Sequence, residues 1–99
     1  MKYKIIDGIV SRNIDRVYFL INVYDKKCFI EGNLFTTNEI GYELFNSMKE
    51  ANIFTITEIV DELINKLVDF NEEMRSEILL DIQQFVKKLK EIGYIEEVK

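Results

Sequence analysis

The 99-residue sequence predicts a single α+β domain, in which an N-terminal three-stranded antiparallel sheet precedes three helices in a winged-helix-like arrangement. Two observations carry this prediction. Arg16 to Tyr24 is rich in β-branched and aromatic residues, which favour strands. Beyond residue 36, apolar residues recur every three or four positions behind residues that commonly cap helices. We therefore expect a β meander over residues 1–36 and a three-helix part over residues 37–99.

Three strands are expected in the meander. The first covers Lys4 to Ser11, with a break near Asp7-Gly8, and the second covers Arg16 to Tyr24. Asp25-Lys26-Lys27 is a plausible turn, and Cys28 to Glu31 is expected to form a short return strand. The strands would then follow one another in an antiparallel sheet.

The first expected helix follows a group of capping residues. Thr36, Thr37 and Asn38 are each suitable N-caps for a helix that runs through Met48. Gly41 lies one turn into this helix and would allow a close approach by another backbone.

Two further helices are expected. Thr55-Ile-Thr-Glu58 is a capping box for the second, while the third opens after Asn71 and stops at Gly93. The apolar faces predicted to form the core are Ile40, Leu44 and Met48, then Ile56, Ile59, Val60, Leu63 and Leu67, then Ile78, Ile82, Phe85, Leu89 and Ile92. Tyr94 and Ile95 are expected to fold back after the glycine stop.

The charge is acidic and unevenly distributed. The net charge is −5, from 13 basic and 18 acidic residues. Residues 37–99 carry seven basic and fourteen acidic side chains, which gives −7 for the helical part. Such a surface repels a phosphate backbone and would attract a basic peptide. Nucleic acid is therefore an unfavoured partner.

The composition argues against an enzyme. The chain has no histidine, so the usual general base and commonest metal ligand are missing. Cys28 is the only cysteine, which rules out an internal disulfide and a zinc site of several cysteines. We expect no catalytic residue, no metal and no cofactor. No apolar run approaches a membrane span, and we expect a cytoplasmic location without a membrane partner.

One pattern points to a binding surface. Val17 to Tyr24 is apolar at nearly every position, and Leu79 and Leu80 lie beside the predicted core face of the third helix. An apolar strand next to an apolar helix flank would form a groove where a peptide could add as a strand. A homodimer interface is an equally natural use of such a surface.

Three stretches of the helical part occur in a specific order. Asn38-Glu-Ile-Gly41-Tyr-Glu-Leu44 is similar to Asn-x-x-Ala/Gly-x-x-Ile/Leu, and Thr55-Ile-Thr-Glu-Ile-Val-Asp-Glu-Leu63 is similar to Thr-Val-x-Glu-Ile-x-x-x-Leu. The third is Asp81-Ile82-x-x-Phe85-Val86-x-x-Leu89-x-x-x-Gly93-Tyr-Ile95. Together they resemble the PqqD-like family, the RiPP precursor peptide recognition element. The chain departs from that family where Gly32-Asn-Leu-Phe-Thr36 separates the expected third strand from the first helix.

This resemblance implies a non-catalytic adaptor. Such domains bind the leader of a ribosomally synthesised precursor peptide as a strand added to the third β-strand. They present the peptide to a modifying enzyme such as a radical SAM protein, a cyclase or a leader peptidase. Carried onto this chain, the resemblance implies leader contacts from the expected strand Cys28, Phe29, Ile30 and Glu31. By helix geometry we add Arg75, Leu79, Gln83 and Val86 on the flank of the third helix.

Two other functions stay open at the level of sequence. A winged-helix DNA-binding regulator is the main alternative, but residues 72–92 carry four basic and five acidic side chains, whereas a recognition helix should be basic. A structural subunit of a larger complex is the second alternative. Salt-sensitive binding of duplex DNA would indicate the first, and stable co-purification without a peptide would indicate the second.

Overall fold

A computed structural model describes residues 1–24 and 35–99 and has the predicted α+β class. These residues form three helices and six strands. In chain order the elements are β1 (Lys2–Ile5), β2 (Ile9–Ile14), β3 (Val17–Asn22), β4 (Phe35–Thr37), α1 (Glu39–Ala51), β5 (Ile53–Phe54), α2 (Ile56–Lys66), α3 (Glu73–Glu91) and β6 (Ile95–Val98).

The strands form two small antiparallel sheets, one of them a three-stranded meander and the other not predicted from the sequence. One sheet has the order β2-β3-β4, and the other has the order β5-β1-β6. The break predicted near Asp7-Gly8 is present, but the two parts of the predicted first strand, β1 and β2, belong to different sheets. The chain turns between them at Gly8, whose φ of +92° is a conformation that favours glycine.

The β2–β3 hairpin has a tighter turn than the sequence predicted. Ile14 pairs with Val17, so the connection contains only Asp15 and Arg16. Both residues have positive φ, 51° and 68°, as a type I′ turn requires. Arg16 was predicted to lie in the strand, but it is a turn residue. The turn predicted at Asp25-Lys26-Lys27 lies outside the described residues.

Local capping bonds start the first two helices where the sequence predicts. The Asn38 side-chain oxygen accepts a hydrogen bond from the Gly41 amide at 2.8 Å, so Asn38 is the N-cap of α1. The Thr55 hydroxyl oxygen accepts one from the Glu58 amide at 3.1 Å and caps α2. At α3 the Asn71 side-chain oxygen accepts from the Met74 amide at 3.2 Å, although the helix itself begins only at Glu73.

Gly93 ends α3 as predicted. Its φ is +82°, and its amide donates to the Lys90 carbonyl at 3.1 Å. The Tyr94 amide donates to the Leu89 carbonyl at 2.9 Å, which completes a Schellman motif. The chain then reverses into β6, where Ile95 pairs with Ile5 of β1. Tyr94 and Ile95 are buried, so the predicted apolar return onto the core is confirmed.

The core lies between the helices and the two sheets. Its buried members are Tyr3, Ile9, Leu20, Leu44, Phe45, Met48, Phe54, Ile59, Val60, Ile82, Val86, Leu89, Tyr94 and Ile95. Three predicted core residues are instead more than a third exposed: Ile40 at 57%, Leu67 at 37% and Ile92 at 37%. Val86, which was placed beside the core face, is only 2% exposed. The buried stripe of α3 is therefore rotated relative to the prediction.

Polar and aromatic contacts hold α1 against the β2-β3-β4 sheet. Lys49 Nζ donates to the Ile9 carbonyl at 2.9 Å, and the Ser11 hydroxyl donates to Asn46 Oδ1. The rings of Tyr18 and Tyr42 stack with centroids 5.0 Å apart. Tyr42 lies near the start of α1 and Tyr18 pairs with Thr37 of β4, so the ring contact holds the start of the helix beside β4, where the candidate site lies.

Candidate functional site

A groove lies between the three helices. Its volume is about 530 Å³, which falls in the range of about 300–1,000 Å³ typical of ligand pockets. The apolar residues that line it come from all three helices and from the loop after α2: Ile40, Leu44, Leu63, Leu67, Met74, Ile78, Ile82 and Phe85. Leu44 and Ile82 are buried, while Ile40 and Leu67 remain exposed. The groove therefore has a buried apolar floor and an accessible apolar rim.

Charged side chains also line the groove. Glu43 on α1 and Asp81 on α3 contribute carboxylates, and Lys66 at the end of α2 contributes an ammonium group. Lys66 Nζ lies 3.7 Å from Glu62 Oε1, one helical turn earlier on α2. The lysine thus has an acidic neighbour within its own helix.

A sheet edge lies next to the groove. β4 pairs with β3 through Thr37–Tyr18, Thr36–Phe19 and Phe35–Leu20, and no other described strand pairs with β4. Thr37, the last residue of β4, lines the groove. In an antiparallel ladder, successive residues direct their main-chain groups to opposite sides, so β4 presents N–H and C=O groups away from β3.

Gly41 allows β4 and α1 to meet closely. A Cβ at this position would overlap Thr37 Oγ1 and lie 3.2 Å from Thr37 Cβ. The close approach is therefore that of a side chain, whereas the sequence suggested another backbone. Both residues line the groove, so this contact sets the position of its β4 side.

We expect Gly41→Ala to lower the free energy of unfolding by about 1 kcal/mol. In a helix alanine is normally about 1 kcal/mol better than glycine, but overpacking against Thr37 costs roughly 1–3 kcal/mol. Urea denaturation of this variant and of Gly41→Ala/Thr37→Ala measures the effect. The second change removes the clashing hydroxyl and should recover most of the loss. A Gly41→Ala protein more stable than the wild type would show that the contact is not tight.

The structure describes four of the eight predicted site residues, and none of these four lines the groove. Cys28, Phe29, Ile30 and Glu31 lie outside the described residues. Arg75 lies near the loop between α2 and α3. Its Nε is 3.1 Å from Glu72 Oε2, and its Nη1 is 3.3 Å from Asp61 Oδ1. Its guanidinium also lies 5.6 Å from the centroid of the Phe70 ring. Hydrogen bonding to Glu72, with a smaller contribution from Asp61, raises the pKa of Arg75.

The remaining three predicted contacts are on the other flank of α3. At 100° per residue, Leu79 and Gln83 lie on the opposite side of the helix from Asp81 and Phe85. Leu79 packs against the core, and Val86 belongs to it. Val86 is thus a core residue rather than a groove contact. The α3 residues that line the groove are Met74, Ile78, Asp81, Ile82 and Phe85.

Three residues that line the groove gave only a weak sign of this position in the sequence. Ile40, Leu67 and Ile78 were correctly recognised as apolar face residues but were assigned to the core. Ile40 precedes Gly41, where β4 approaches α1, and Leu67 follows the last residue of α2. Both residues therefore lie at the end of an apolar helix face, beyond the part that packs against a neighbouring element. A position at the end of an apolar stripe is the available sign of a groove.

Metal binding and membrane insertion have no structural basis in the described part of the chain. Within residues 1–24 and 35–99, no three His, Cys, Asp or Glu side chains are grouped so that they could hold a metal ion. None of the helices in these two ranges combines the length and apolar character needed to cross a membrane.

A similar fold occurs in a solved structure. No protein-family model and no curated protein sequence matches this chain. The structure of TbiB1 in complex with the TbiA(beta) leader peptide matches with a TM-score of 0.67. The two sequences are 22% identical, and the alignment covers 97% of this chain and 98% of that chain. The similarity extends over the whole length and shows that the two proteins share a fold.

Proposed function

We propose that this protein binds the leader segment of a ribosomally synthesised precursor peptide as an additional β-strand and presents the peptide to a modifying enzyme. The observation that carries the proposal is an edge of β4 that no described strand pairs with, beside an apolar groove. Strand addition needs both parts, because main-chain hydrogen bonds supply affinity and side-chain pockets supply specificity.

The shape and lining of the groove suit a peptide. An extended strand points alternate side chains to one side, so a peptide paired with β4 would direct every second residue toward α1 and α3. Ile40 and Leu67 stand at the rim to meet these side chains, and Ile82 and Leu44 close the floor. The fold shared with TbiB1, whose structure contains a leader peptide, supports the same occupant.

We propose that the domain acts without catalysing a reaction itself. The chain has no histidine, and its groove carries two carboxylates and a lysine that is paired with Glu62. Its contribution would be effective concentration, because a tethered leader raises the local supply of the modifiable segment at the enzyme. A radical SAM protein, a cyclase or a leader peptidase would suit this role in the cytoplasm, where precursor peptides are made.

A direct binding experiment tests the proposal. The leader half of a short peptide encoded beside the gene would be synthesised with a fluorophore and titrated with the purified protein. We expect saturable binding, no binding of a scrambled peptide, and no shift of duplex DNA at moderate salt. A salt-sensitive shift of duplex DNA without peptide binding up to millimolar concentrations would instead support a DNA-binding regulator.

A further inference from the structure

The groove is apolar along its floor but not electrically neutral. Glu43 and Asp81 are both exposed and approach the groove from different helices. Across residues 1–24 and 35–99, neither carboxylate takes part in an ion pair. Lys66, the one described cation lining the groove, lies 3.7 Å from Glu62. Two carboxylates without a cationic partner among the described residues thus lie next to apolar walls.

We infer that Glu43 and Asp81 make the groove selective for peptides that carry a lysine or arginine next to their apolar anchors. The inference rests on the proposed function and specifies the chemistry of the peptide. Apolar walls lower the local dielectric and focus the field of the two carboxylates, so a cationic side chain in the groove gains more than it would on an open surface. An acidic residue at the same place would be repelled, which adds discrimination.

The aliphatic stem of the basic residue would contribute as well. Lysine and arginine place three or four methylene groups along apolar surface while the charged end reaches polar groups. Ile78 and Phe85 lie one turn to either side of Asp81 on α3 and provide such a surface below the carboxylate. The groove therefore combines the two features that a basic side chain uses.

Selection from a peptide library tests this inference. An mRNA-displayed library of random twelve-residue peptides would be selected in parallel on three proteins: wild type, Glu43→Lys/Asp81→Lys, and the matched control Glu50→Lys/Glu91→Lys. Glu50 and Glu91 are exposed acids of the same two helices that do not line the groove, so both variants change the net charge equally. Thermal unfolding would show that all three proteins are folded.

We expect lysine or arginine to be enriched beside apolar residues in peptides selected on the wild type and on the control. The groove variant should select aspartate or glutamate at that position. It should also bind a basic wild-type peptide about tenfold more weakly, with a difference that shrinks as salt is added. The same charge preference on all three proteins would overturn the inference and leave the proposed function standing.

A separate outcome would reject both ideas. Selected peptides should lose affinity for Ile40→Ser/Leu67→Ser, which removes two apolar rim residues of the groove. If they bind this variant as tightly as the wild type, peptides do not occupy the groove, and the proposed function fails together with the inference.

Discussion

Replacing Ile40 and Leu67 with serine is expected to weaken peptide binding about 100-fold while the domain stays folded. Both side chains line the groove and are 57% and 37% exposed, so they are available to a ligand but contribute little to the core. Covering an aliphatic side chain is worth roughly 1.5–3 kcal/mol when it is fully buried. If peptide binding buries about half of each side chain, each residue contributes roughly a factor of ten to the dissociation constant.

The matched control for this experiment is Ile14→Ser/Leu80→Ser. Ile14 and Leu80 are exposed to similar extents, 55% and 53%, and neither lines the groove. Removing them should leave the dissociation constant of the labelled leader peptide unchanged. Equal losses of affinity in both double variants would show that general surface hydrophobicity, rather than the groove, holds the peptide.

Phe45→Ala is expected to lower the free energy of unfolding by about 3–5 kcal/mol. Phe45 is fully buried on α1, between the neighbouring buried residues Leu44 and Met48. Deleting a buried aromatic ring removes its transfer free energy and leaves a cavity. Since a domain of this kind has a total stability of about 5–15 kcal/mol, the variant should be marginally folded at 37 °C.

Urea denaturation followed by circular dichroism measures this effect. Phe45→Leu serves as the comparison, because it keeps the site apolar and should lose less than half as much. The same cavity would loosen α1 and with it the groove residues Ile40 and Gly41. A loss below 1 kcal/mol for Phe45→Ala would mean that the core around α1 is not closely packed.

Features that depend on a few adjacent residues were predictable from the sequence. The caps at Asn38 and Thr55 and the stop at Gly93 each involve hydrogen bonds within one helical turn, and side-chain chemistry is enough to identify them. The burial of Tyr94 and Ile95 followed from their position after that stop. These local signals also placed all three helices.

Pairing between distant segments was harder to predict from the sequence. The separation of β1 from β2 depends on partners near residues 53 and 95, which no pattern around Asp7-Gly8 identifies. The two-residue turn was missed because Asp15-Arg16 lacks the glycine that usually marks a type I′ turn. The strand leading into α1 is β4, whereas the predicted strand Cys28–Glu31 lies outside the described residues.

The spacing of apolar residues in α3 could not predict which side of this helix lines the groove. A repeat of three or four residues identifies the apolar stripe of a helix but not which edge of the stripe a neighbouring helix covers. Asp61 on α2 reaches Arg75, so α2 lies on the flank that was expected to be accessible. Ile78 and Phe85, which were assigned to the core, line the groove.

Amide chemical-shift mapping tests the central claim most directly. The isotope-labelled protein would be titrated with the synthetic leader peptide and followed by NMR. Saturable shifts at Thr36, Thr37, Gly41, Ile78 and Phe85, with little change at Leu79 and Gln83, are the result that strand addition at β4 predicts. Shifts confined to Leu79 and Gln83, or no shifts up to millimolar peptide, would contradict the account.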